Sequence, residues 1–237
     1  MDIAGSVALV TGGNRGIGRT FVEELQRRGA AKVYAAVRRP DAADLPGATV
    51  LPLDITRPDT VAAVAEAARD VTLLVNNAGI SSSTSLITGD LATIRLEMEV
   101  HYFGTLSVIR AFAPVLARNG GGAVVNVLSA LSWFAVDGAN PYAAAKAAEW
   151  NMTNGVRLEL AGQGTLVQGV HLGAADTDMT AGYDGEKIDP ADVARASLDG
   201  LERGEVEVLA DDWSRRIKST LAHDPMRFYG AALAGAQ

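Results

Sequence analysis

Between Ser6 and Gly29 the chain passes from a short apolar, β-branched run, SVALVT, through a glycine-rich turn, TGGNRGIG, into an amphipathic segment, RTFVEELQRRG. The first run reads as a buried strand and the last as a helix. Glycines between them let the backbone turn tightly and approach a diphosphate, whose charge the helix N-terminus meets. An ordinary strand-to-helix turn is the alternative. A second strand, KVYAAV at 32–37, completes a βαβ start. Further strands are expected at 49–54, 71–75, through GGAVVNVLS to Ser129, at 164–173 and at 205–210. Helical patterns alternate with them, the longest at 91–119, another following Tyr142, and one begun by Asp189 and Pro190. The tail after 210 is expected to hold one short helix.

This alternation, without repeats or linker-like stretches, predicts a single domain over 1–237. It should be a Rossmann-type, doubly wound α/β fold, a parallel sheet of about seven strands flanked by helices on both faces. Ligands in such sheets lie beyond the carboxyl ends of the strands. Several polar residues fall there. Asn76-Asn77-Ala78-Gly79 follows the fourth strand and Ser129 ends the fifth. Thirteen residues after Ser129 comes Tyr142-Ala-Ala-Ala-Lys146. Groups four apart share one helical face, so an ammonium stands beside a phenol and is expected to lower its pKa from near 10. Tyr142 becomes a usable proton donor and acceptor, and a hydroxyl at Ser129 can hydrogen-bond a substrate oxygen. The same spacing also occurs by chance in helices.

Past the second strand stand Arg38 and Arg39, with no carboxylate. A guanidinium there suits a 2′-phosphate where a carboxylate would repel it. With Arg15 inside the glycine turn, this favours NADP(H) over NAD; the alternative is a solvated strand end. A net charge of −7 argues against a nucleic-acid partner. The chain has no cysteine and only three separated histidines, so no metal site is expected. No signal peptide or membrane span is read, and a cytoplasmic protein is expected.

With these segments in place the chain resembles the short-chain dehydrogenase/reductase family. The resemblance rests on TGGNRGIG at 11–18, LDIT at 53–56, NNAG at 76–79, Ser129, Tyr142 to Lys146, and ADTDM at 175–179. It implies that Ser129 polarises the substrate oxygen and Tyr142 exchanges the proton. Lys146 would lower the tyrosine pKa and hold the nicotinamide ribose. The cofactor would lie along Gly12, Asn14, Arg15, Gly16, Ile17 and Gly18. Arg38 would stand at the 2′-phosphate, Asp54 and Ile55 beside the adenine, Asn77, Ala78 and Gly79 along its length, and Thr177 at the carboxamide. It also implies a homodimer or homotetramer.

The chain departs from the family pattern in two places. His101 stands where an asparagine usually holds a water that resupplies protons to the lysine. It is open to reading as a relay, an impairment or a neutral substitution. Leu172-Gly173 replaces Pro-Gly and should alter loop stiffness. The substrate wall is expected from Leu131, Trp133, Phe134, Met179 and Tyr183, with Ile80 and Ser81, an apolar set without a placed cation. The expected activity is reversible NADPH-dependent reduction of a neutral ketone or aldehyde. The alternatives are an acyl-carrier-protein 3-oxoacyl reductase and a non-catalytic NADP(H)-binding sensor or scaffold.

Overall fold

The computed structural model describes the backbone of residues 1–234 and the side chains of residues 1–230. Seven strands form one parallel sheet: β1 (Val7–Thr11), β2 (Lys32–Val37), β3 (Thr49–Pro52), β4 (Leu73–Asn76), β5 (Ala123–Val127), β6 (Leu166–His171) and β7 (Glu207–Leu209). Their order is β3-β2-β1-β4-β5-β6-β7. The direction of winding reverses between β1 and β4, which opens a crevice at their carboxyl ends. Every residue of β5 is buried, as expected of a strand covered on both faces.

Neighbouring residues on a strand serve opposite faces. Val125 joins a core with Phe21, Leu25, Val193 and Leu198, under α1 (Gly16–Arg27) and α6 (Pro190–Glu202). Val124 joins the other core, with Val61, Ile109, Phe112 and Val156. That core lies under α2 (Pro58–Ala67), α4 (Thr105–Arg118) and α5 (Asn140–Leu160). The sheet and its two helical layers match the expected fold; β1, β3 and β4 are a residue or two shorter than the apolar runs, and β5, β6 and β7 are trimmed further at their ends.

The expected long helix at 91–119 is divided. It consists of α3 (Leu91–Met98), a π-helical segment at Glu99–Gly104, and α4. By length and mean hydropathy alone, Leu91–Arg118 is apolar enough to cross a membrane. In the fold, α4 turns Val108, Ile109, Phe112 and Leu116 into the core. The tail holds two helices rather than one, α7 (Asp212–Ser219) and α8 (Met226–Ala234). Asp211 caps the first by accepting the Ser214 N–H at 2.7 Å.

Where β6 ends, the buried His171 stacks on Trp133, with ring centroids 4.0 Å apart, and its Nδ1–H donates to the Ser129 carbonyl at 3.1 Å. Burial pulls its pKa down from 6.5 to about 4, with the Lys218 and Lys146 charges adding to the effect against the Ser129 bond. The unfolded chain therefore takes up this proton at higher pH than the folded one. Stability should fall as pH drops from 6.5 toward 4, by about 3 kcal/mol at most. Urea unfolding across this range should show the loss, and His171→Gln should flatten it. Phe112→Ala should cost about 3–5 kcal/mol in the same assay, because its ring is fully enclosed.

Candidate active site

A cleft of about 1470 Å³ runs along the carboxyl ends of the strands. Gly12, Asn14, Arg15, Gly16 and Ile17 line one end, and Arg38, Asp54 and Ile55 lie beside them. Asn77 to Gly79 form the middle, with Thr177 on the wall. Asn77 is pinned by donating to the Thr11 and Gly12 carbonyls at 3.0 and 3.3 Å. Arg38 has no carboxylate at ion-pair distance among the described residues, whereas Arg15 pairs with Asp178 at 3.2 Å. One guanidinium is thus unpaired at this end of the cleft, and Arg15 lines the cleft beside it.

Gly18 lies beneath the turn and does not line the cleft. A Cβ there would stand 2.2 Å from the Gly12 carbonyl oxygen and 2.4 Å from Asn77 Nδ2. The absence of a side chain is therefore what lets α1 start directly against the turn. These residues fit a dinucleotide: a helix start, exposed backbone around glycines, and a free cation for a terminal phosphate.

At the other end, Ser129, Tyr142 and Lys146 converge. Ser129 leaves β5 in extended conformation and its Oγ accepts the Leu131 N–H at 3.1 Å. Tyr142 lies on the first turn of α5, half-buried on the cleft wall, with the Lys146 ammonium 5.9 Å from its ring centre. Lys146 is buried, donating to the Val127 carbonyl at 2.8 Å and to Glu149 Oε2 at 2.7 Å. Burial lowers its pKa, but the Glu149 charge outweighs this and holds it above the usual lysine value.

The expected lowering of the tyrosine pKa does not occur in this structure. Burial raises the Tyr142 pKa above 10; Lys146 and the Ser129 hydroxyl oppose this, while Glu149 and Glu97 add to it. The lysine charge is largely answered by Glu149, three residues on along the same helix. Glu149 and Glu97 were missed in the sequence, although Lys146-x-x-Glu149 and Glu97-x-x-x-His101 both have helical contact spacing.

His101 is also brought into the site. It is 1% exposed, and its ring meets that of Tyr142 edge-on at 5.1 Å. The ring rests on Gly79, where a Cβ would come within 2.7 Å of His101 Cε1. In the loop after β6, the N–H of Gly173 donates to Asp211 Oδ2 at 2.6 Å, so a carboxylate anchors the residue that follows Leu172.

Leu131, Phe134, Met179 and Tyr183 line the substrate end together with Ile80 and Ser81. Trp133 does not. Its ring is held between His171 and Trp150, below the cleft wall. Its place is taken by Trp213 of α7, edge-on to Phe134 at 6.0 Å. That helix also brings Arg215 and Arg216 to the mouth, so the expectation of no cation there is corrected. Arg215 pairs with Asp212, while Arg216 lies over the Trp213 ring at 5.3 Å.

Gly18→Ala should lower the melting temperature and abolish dinucleotide binding, measured by thermal unfolding and fluorescence titration. Undiminished affinity would show that this turn is not the cradle.

The family model described as short chain dehydrogenase matches residues 6–187. A short chain dehydrogenase from Burkholderia cenocepacia, crystallised in complex with NADP, is 40% identical, with a TM-score of 0.93 over 98% of both chains. The 3-oxoacyl-[acyl-carrier-protein] reductase of Vibrio cholerae is 32% identical over 79% of this chain and 80% of its own. An uncharacterized oxidoreductase of Staphylococcus saprophyticus is 28% identical over 86% of this chain and 94% of its own. With the family model matched over residues 6–187 and these relatives sharing the fold, the chain belongs to the short-chain dehydrogenase/reductase family of oxidoreductases.

Proposed function

We propose that this oxidoreductase uses NADPH to reduce a neutral ketone or aldehyde. The observation that carries the reading is the convergence of Ser129, Tyr142 and Lys146 on a cleft whose far end holds the unpaired Arg38. NADPH supplies the hydride when bound. Arg38 and Arg15 would favour its 2′-phosphate over the bare hydroxyl of NADH. The NADP in the similar Burkholderia protein supports this preference.

At the reacting end Ser129 and Tyr142 hydrogen-bond the carbonyl oxygen, stabilise the charge it gains and orient the carbon. Tyr142 then gives its proton to that oxygen. A raised Tyr142 pKa keeps the phenol protonated at neutral pH, the state reduction needs, and leaves little phenolate for the reverse reaction. Lys146 places a charge behind the phenol and, through its bond to the Val127 carbonyl, ties α5 to the end of β5. Leu131, Phe134 and Trp213 offer an apolar, aromatic wall for a small-molecule substrate. The family's habit of oligomerising supports a homodimer or homotetramer, and its soluble fold a cytoplasmic location.

A second reading, a 3-oxoacyl thioester carried on acyl carrier protein, is favoured by Arg215 and Arg216 at the mouth and by the Vibrio relative. A carrier-bound substrate should then outperform the same acyl group on a small thiol. Free ketones reduced as well as the carrier substrate would reject it.

NADPH oxidation should be seen with members of a ketone panel, with NADH much poorer. Tyr142→Phe should lose about a hundredfold or more in kcat while binding NADPH normally. Retained turnover would remove Tyr142 from the chemistry. Alcohol oxidation should quicken as pH rises above neutral, because the raised phenol pKa postpones formation of the base.

A further inference from the structure

Beyond β7 the chain returns to the cleft and sets an indole at its mouth. Trp213 stands on the first turn of α7 and lines the cleft, yet its place is fixed from the loop after β6. Asp211 Oδ2 accepts the Gly173 N–H at 2.6 Å while its Oδ1 accepts the Ser214 N–H at 2.7 Å. One carboxylate thus joins that loop to the start of α7. The indole rests on Gly173 itself, where a Cβ would stand 2.9 Å from Trp213 Cδ1. The ring also meets Phe134, in the loop after β5, edge-on at 6.0 Å between centroids. Trp213 therefore bridges the loops that follow β5 and β6.

The Phe134 side of this bridge is held from outside the cleft. Phe228 of α8 stacks on Phe134, with ring planes 21° apart and centroids at 6.3 Å. The Tyr229 hydroxyl accepts the Ala135 N–H at 2.9 Å. Neither Phe228 nor Tyr229 lines the cleft. The segment they hold runs between Ser129 and Tyr142, so its conformation sets how far the aromatic wall stands from the reacting groups.

Despite these holds Trp213 is 44% exposed, and Val136, Met179 and Tyr183 on the same cleft are exposed as well. Large apolar side chains gathered on a cleft and left open to water mark a ligand surface. An indole already fixed by its neighbours loses little freedom when a ligand covers it. Rings prefer edge-on or offset contact with other rings, and Trp213 and Phe134, inclined at 71°, offer an edge and a face together. A saturated group of the same size gains only the burial of its area.

We infer that Trp213 is the specificity-determining residue of this site, selecting carbonyl compounds that carry an aryl group over their saturated counterparts. Phe228 and Tyr229 are positioning residues that act through Phe134 and Ala135. This rests on the carbonyl-reductase reading above and names its substrate class.

The test measures kcat and KM with NADPH on acetophenone and cyclohexyl methyl ketone, which share a carbon skeleton and differ in aromaticity. The intrinsic reactivity of each ketone cancels when variants are compared with wild type. Trp213→Ala should lower the acetophenone-to-cyclohexyl ratio of kcat/KM about tenfold, chiefly through the acetophenone KM, with NADPH affinity little changed. Trp213→Phe should restore most of the ratio, because it keeps an aromatic ring. Phe228→Ala and Tyr229→Phe should lower the ratio in the same direction and by less. A residue that merely holds the fold would change both ketones alike.

Binding is also read without turnover. With NADP⁺ bound there is no hydride to transfer, so acetophenone saturates the site unreacted. Tryptophan emission should change as it does so, since Trp213 lies on the cleft while Trp133 and Trp150 pack against each other below the wall. Trp213→Phe should lose that change. The wild-type measurement stands whether or not any variant folds.

An unchanged ratio in Trp213→Ala would overturn the inference and leave the reductase standing. Turnover of the cyclohexyl ketone alone, or emission unmoved by saturating acetophenone, would do the same. No turnover of any ketone by wild type that binds NADPH would defeat both readings.

Discussion

A lysine ammonium held inside a protein must be answered by opposite charge and hydrogen-bond acceptors, or it loses its proton. Lys146 is answered twice, by the Glu149 carboxylate and by the carbonyl of Val127 at the end of β5. The first bond is internal to α5 and the second ties α5 to the sheet. Through that tie Tyr142, one turn earlier on the same helix, is held above the strand end from which Ser129 projects. Losing either acceptor would leave a buried charge unmet and release the geometry of all three residues. The hydrogen-bonded line continues below them, from Asn76 through Asn126 to Thr153 and the Glu149 carbonyl. β4, β5 and α5 are thus joined by polar contacts as well as by packing.

The carboxylate that steadies the lysine also blunts its effect on the tyrosine. A bare ammonium four residues from a phenol would draw the phenol pKa down, but an ion pair presents a much weaker field. Burial then decides the direction, and the phenol pKa rises. The site is consequently suited to giving a proton at neutral pH. His101 completes this departure from the family pattern. Its ring fills the space against Gly79 and places a titratable group between two carboxylates.

Much of the fold was legible because it depends on local patterns. β-branched runs bounded by glycine or polar turns marked all seven strands, and capping pairs such as Asp189-Pro190 marked helix starts. Tyr142-x-x-x-Lys146 was legible for the same reason, since its geometry is internal to one helix. Trp133 was misassigned because orientation after a strand end depends on what lies beneath, and His171 draws the ring away from the cleft. Trp213 and Arg216 were overlooked as cleft residues because α7 lies some eighty residues from Ser129 in sequence and reaches the mouth only after β7 joins the sheet.

By itself the sequence determined the alternation of strands and helices, the glycine turn before α1, and the identity of the Ser129, Tyr142 and Lys146 group. Each follows from periodicity, turn chemistry or spacing along one element. Only the tertiary structure decided what charge these groups feel. Glu97 sits on α3 and His101 on the π-helical turn after it, Glu149 and Lys146 sit on α5, and their energies depend on a few ångströms of separation across a buried interface. Coulomb interactions there are strong and short of screening. They are set by how α3, the π turn and α5 pack together, which no local pattern in the chain encodes.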